Sequence, residues 1–141
     1  MAKNNLSQWS LALLRAVLGV IFVYHGYFKL FAPGGFKGTV GFFLAIGIPA
    51  AQYVALLVGA LEFFGGILFL IGLLTRWVSV LFIIEFLVAF FKVHLKNGFA
   101  IGSSYGYEFV LLILAALAVV LFNGAGKLSA GKKFFKNKNL Q

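Results

Sequence analysis

The sequence predicts an all-α fold: a polytopic membrane four-helix bundle with an interfacial or re-entrant helix between spans 1 and 2. Three observations carry this. Of the 141 residues, 62% are hydrophobic and 11% charged, and mean hydropathy is +1.04. A water-soluble domain of this size leaves much of its area exposed and is about one-quarter charged, so this much apolar surface is tolerable only in lipid. Four segments approach the roughly 20 apolar residues needed to cross a bilayer. Finally, all 3 acidic side chains fall inside those segments.

The first span is expected at 9–30. Its apolar run is long and no small-x-small site follows, so it does not read as a cleaved signal peptide. Between spans 1 and 2, Ala32-Pro33-Gly34-Gly35 and Gly47-Ile48-Pro49 are breakers. Phe36, Val40, Phe43 and Leu44 lie between them on one helical face, too short to span. The second span, 50–74, turns tightly at Thr75-Arg76 into the third, 77–95. A Gly- and Ser-bearing loop leads to the fourth, 105–122, and a basic tail occupies 123–141. The length suits a single membrane domain over 1–141.

Four spans put both termini on one side. Lys3, Arg76, Lys127, Lys132, Lys133, Lys136 and Lys138 fall there, against Lys29, Lys37, Lys92 and Lys96 opposite. The positive-inside rule then makes both termini cytoplasmic, in the cell membrane. Trp9 and Trp77 mark the inner belt, and Tyr24, Tyr27, Tyr53, Tyr105 and Tyr107 the outer one. The net charge of +9 is spread over helix ends and a tail, which suits lipid contact and not nucleic acid. With 0 cysteines, the chain itself cannot run thiol–disulfide chemistry or hold a cysteine–metal or iron–sulfur site. No metal site is expected.

A charge at mid-bilayer costs at least about 2.5–3.5 kcal/mol, so each ionisable group in a span calls for an account. Glu62 rides a stripe of small residues, Ala55, Gly59 and Gly66, and span 1 has a matching stripe of Arg15, Gly19, Phe22, Gly26 and Lys29. Small stripes let helices approach closely, so spans 1 and 2 should pack through them. Depth counting favours His25 as the partner of Glu62 and allows an Arg15–Glu85 pair; Arg15 and Glu85 are the structural ion-pair candidates. His25, Lys29, His94 and Glu108 could line one pocket in the outer half, with Glu62 at its floor. These five are the ligand-binding or proton-handling candidates. Plain ion pairing, snorkelling or solvation at the interface is the competing reading for each.

The pattern resembles the DoxX family of small prokaryotic membrane proteins over nearly the whole chain. The resemblance rests on Arg15-Ala16-Val17-Leu18-Gly19, His25-Gly26-Tyr27-Phe28-Lys29-Leu30, Gly47-Ile48-Pro49 and Gly59-Ala60-Leu61-Glu62-Phe63-Phe64-Gly65-Gly66. It continues through Gly72-Leu73-Leu74-Thr75-Arg76, His94, Glu108 and Gly124-Ala125-Gly126-Lys127-Leu128-Ser129. Ala130 departs from it, standing where an acidic residue is expected. The resemblance implies a four-helix membrane bundle associated with redox chemistry, linked in relatives to quinone-coupled sulfur oxidation and to membrane complexes handling thiols and oxidative stress. It names no catalytic residue.

Three functions compete. The chain is a membrane subunit of a redox complex, with a quinone in a Glu/His/Lys pocket and a redox partner protein. Alternatively it is a small transporter or proton-conducting protein using Glu62, or a non-catalytic scaffold that recruits a soluble enzyme through its basic tail. A haem between His25 and His94 and a homo-oligomeric state are further options.

Overall fold

The computed structural model describes residues 5–99 and 106–131. Five helices account for most of them: α1 (Asn5–Leu30), α2 (Gly35–Ala45), α3 (Ala51–Ile71), α4 (Thr75–Ala89) and α5 (Glu108–Asn123). Helix α4 continues through a π turn, Phe90–His94, and a 3-10 turn, Leu95–Asn97. The helices Asn5–Leu30, Ala51–Ile71 and Thr75–Asn97 are long and apolar enough to cross a membrane, and α5 is a shorter apolar helix of 16 residues.

The boundaries differ a little from those the sequence suggests. Helix α1 begins four residues before Trp9, and α3 stops at Ile71 because Gly72 adopts φ 71°. There Leu73 N–H donates to Leu68 O at 2.9 Å and Gly72 N–H to Phe69 O at 3.1 Å, the paired bonds with which a left-handed glycine closes a helix. The next helix begins at Thr75, two residues ahead of Trp77. Tyr105, Lys3 and the lysines from Lys132 onward lie outside the described residues.

Helices α1 and α3 run antiparallel with their small residues in contact. Arg15, Gly19, Phe22 and Gly26 are buried on α1, and Ala55, Gly59, Glu62 and Gly66 on α3. A methyl group on Gly26 would sit 2.3 Å from the Phe63 nitrogen, and one on Gly66 2.7 Å from the Val23 nitrogen. The backbones approach to a distance only glycine permits. Nearer the middle of α1, Phe22 stacks on Phe82 with centroids 3.8 Å apart and meets Phe69 edge-on at 6.0 Å. Leu18, Val78, Ile113, Leu117 and Val120 complete this core, to which α5 brings one buried face.

Residues 124–131 fold back across the end where α1 starts. Lys127 N–H donates to Gln8 O at 2.9 Å, Gly131 N–H to Gly72 O at 3.0 Å, and Ser129 Oγ to Gly72 O at 2.8 Å. At the other end, α2 buries no residue completely. Phe36, Val40 and Phe43 form its half-buried face as their spacing suggests, whereas Leu44 is exposed.

Candidate functional site

The half of the α1–α3 contact nearest the α1 C-terminus carries the charged residues. Toward that end, Lys29 lies seven residues beyond Phe22 on α1, and Glu62 seven residues beyond Phe69 on α3 (29 − 22 and 69 − 62). Since Phe22 and Phe69 touch, the two charged residues sit at one depth, about 10 Å above the aromatic core. Lys29 Nζ donates to Glu62 Oε2 at 2.5 Å, with side-chain exposures of 24% and 6%. Gly59 makes room for this. A methyl there would meet Leu30 Cδ2 at 2.7 Å and Lys29 Cβ at 3.4 Å, so its bare backbone lets the end of α1 lie on α3 beside Glu62.

Glu85 of α4 approaches from below. It lies three residues beyond Phe82 toward the α4 C-terminus (85 − 82), and its carboxyl group is a near neighbour of Glu62. Its Oε2 is buried and without a partner. The charged cluster is therefore Lys29–Glu62–Glu85, with one cation and two carboxyl groups.

Above this cluster an open cleft of about 600 Å³ lies between the end of α1 and α2. His25, Phe28 and Lys29 line it from α1, Thr39, Phe42 and Phe43 from α2, with glycine and alanine between them. The α1–α2 turn is tight, and a methyl on Gly35 would fall 1.8 Å from Phe28 O. Thr39 Oγ1 donates to Gly35 O at 2.9 Å, within α2. The surface is apolar and aromatic, with an ammonium and an imidazole at one side. A flat ligand with an oxygen acceptor is what such a surface can hold, since the Lys29 ammonium has two donors beyond the one given to Glu62.

The structure redistributes the residues singled out from sequence. The partner of Glu62 is Lys29 and not His25. His25 is exposed on the cleft side, edge-on to Tyr24 with centroids 5.7 Å apart. A lysine has the reach to turn back from the end of α1, which depth counting at Cα level does not register. Arg15 does not pair with Glu85. It lies buried at the opposite end, where its Nη2 donates to Leu128 O at 3.1 Å and its guanidinium rests on Gly72. His94, in the π turn of α4, and Glu108, at the start of α5, are not among the residues lining the cleft, so the single pocket expected from sequence does not gather all five candidates. Among the described residues, no three of His, Cys, Asp and Glu cluster as metal ligands. The contribution of α2 was missed. Its signal is the small-residue run Gly35, Gly38 and Thr39, which keeps one side of a short aromatic helix low.

The sequence model of the DoxX family matches residues 10–95. A Bacillus subtilis protein, named provisionally as oxidoreductase CatD, is 36% identical over 89% of this chain and 87% of its own length. An uncharacterized protein of Haemophilus influenzae is 32% identical, covering 94% of this chain and 98% of the relative. An uncharacterized membrane protein of Mycobacterium tuberculosis is 31% identical over 90% and 82%. No solved structure gives a significant match.

Proposed function

This chain belongs to the DoxX family, and on that footing we propose that it is the membrane subunit of a redox complex whose α1–α2 cleft holds a quinone head group. The observation that carries the reading is Lys29: an ammonium tied to Glu62 inside the bundle and bordering an aromatic cleft of about 600 Å³. The dimensions and lining suit a flat ring, and the residues present fit it. Phe28, Phe42 and Phe43 offer ring contact, while Lys29 and His25 offer donors to its carbonyl oxygens. A bound quinone would supply two-electron, two-proton exchange with the partner. The chain's own part is to anchor that ring, orient an oxygen toward Lys29 and keep a carboxyl cluster behind it.

The name of the Bacillus relative supports an oxidoreductase association. The distribution of lysine and arginine supports a cell-membrane setting with both termini in the cytoplasm. That side carries Arg76 and Lys127 and is the side on which a soluble redox partner would dock.

The test is purification in mild detergent followed by organic extraction. We expect a quinone to accompany the wild-type protein and to be lost in Lys29→Met and in Phe43→Ala. A quinone-free preparation that also fails to bind added quinone by fluorescence quenching of Trp or Tyr overturns the reading.

A further inference from the structure

We propose that Glu62 and Glu85 hold one exchangeable proton between them, which makes the floor of the cleft a proton-binding site and not a simple ion pair. The starting observation is the cluster itself. Glu62 presents its Oε2 to Lys29 at 2.5 Å and has the buried Glu85 carboxyl as its neighbour on the other side of the contact. A carboxylate has no donor, so two neighbouring buried carboxyls repel one another unless one of them carries a proton that the other can accept.

Charge counting leads to the same place. Lys29 supplies one positive charge and Glu62, at 6% side-chain exposure, the matching negative one. An ionised Glu85 would add a second negative charge where, among the described residues, no second cation pairs with it. Two carboxylates sharing one site cannot both stay ionised, and an unbalanced charge inside a membrane is costly. Glu85 Oε2, buried and without a partner, fits this assignment. An unmet carbonyl oxygen of a neutral acid costs far less than an unmet end of a carboxylate.

The surroundings on each packed element are accounted for. Helix α1 presents Lys29 and, farther off on the cleft side, His25; α2 carries Lys37, exposed; α3 presents Glu62. Helix α5 carries no titratable side chain after Glu108, and on α4 itself Lys92 lies about two turns outward of Glu85. Among the described residues, Lys29 is thus the one cation paired with these carboxyls. The consequence rests on the proposed ligand site only for the proton's destination: a ligand oxygen at Lys29 stands one residue away from a stored proton.

The experiment is infrared spectroscopy of the ligand-free protein in lipid nanodiscs, at neutral pH, in water and after deuterium exchange. The chain has only 3 acidic side chains, so carboxyl bands are few. We expect one protonated-carboxyl band that shifts on deuteration. Glu85→Gln abolishes it. Glu62→Gln abolishes it too, because the remaining Glu85 then becomes the counter-charge of Lys29. Lys29→Met raises it about twofold, since neither acid retains a cation to balance it. Absence of the band in the wild type, or its survival in Glu62→Gln, overturns the proposal. If a variant fails to fold, wild-type protein with ¹³C-labelled glutamate gives the reading alone, as one acid among 3 labelled side chains. A protein with the band and no quinone affinity would refute the ligand reading and leave the proton site standing.

Discussion

Lys29 and Glu62 are 33 residues apart in sequence and 2.5 Å apart in space. They meet because two glycine stripes bring α1 and α3 together and because each residue sits two turns outward of the same aromatic contact. The pair joins the packing of the bundle to the cleft above it, and most of the expected mutational behaviour follows from that.

Removing Lys29 leaves two buried carboxyl groups with no cation, and each must then hold a proton in place of the lost pair. Lys29→Met should destabilise the protein by about 3 kcal/mol, the low end for breaking a buried pair, because the lysine retains some exposure. Lys29→Met combined with Glu62→Met should recover most of that loss. Equilibrium unfolding in mixed micelles, read as a double-mutant cycle, measures both; a double variant as unstable as the sum of the singles would contradict it.

The glycines should divide into two classes. Gly26→Ala forces a methyl against the Phe63 backbone and should cost on the order of 2 kcal/mol, with loss of the Lys29–Glu62 contact. Gly41→Ala, in α2, meets open space and should gain about 0.5–1 kcal/mol by helix propensity alone. Thermal unfolding of the two variants side by side checks the contrast.

At the opposite end, Gly72→Ala combines a left-handed φ of 71° with a methyl placed on the Arg15 guanidinium. The backbone part alone costs about 1–2 kcal/mol. Displacing Arg15 also removes its bond to Leu128 O, so the segment 124–131 should loosen. Limited trypsin digestion should then cut after Lys127 faster than in the wild type.

The absence of native cysteine makes topology directly measurable. On the proposed orientation, Lys37→Cys should react with a membrane-impermeant maleimide in intact spheroplasts. Leu6→Cys and Leu128→Cys, both exposed at the other end, should react only after permeabilisation. The reverse pattern would invert the assignment of the cytoplasmic side.

Sequence periodicity went a long way toward this fold. The small-residue stripes, the burial of Glu62 and the half-buried face of α2 at Phe36, Val40 and Phe43 are all readable from spacing, because helical phase is a local property. Partner identity was not. Cα depth pointed Glu62 at His25, while the structure gives it Lys29, whose four-carbon stem spans the difference. The acceptor of Arg15, Leu128 O, lies 113 residues away in a segment that reads from sequence as part of a basic tail. Nor does spacing reveal that α2 and not α4 or α5 walls the cleft, since that depends on how a turn at Pro33–Gly35 folds a short helix back toward Phe28.

The fastening of residues 124–131 onto Gln8 and Gly72 bears on how the molecule is made. Those residues follow α1 to α5 along the chain, yet they complete the seat of Arg15 on α1. Until they arrive, the guanidinium has lost its one carbonyl acceptor and the earliest helix has a loose foot. A nascent chain halted before Gly124 would lack the carbonyl that Arg15 bonds and would present an unlatched assembly for quality-control proteases to find.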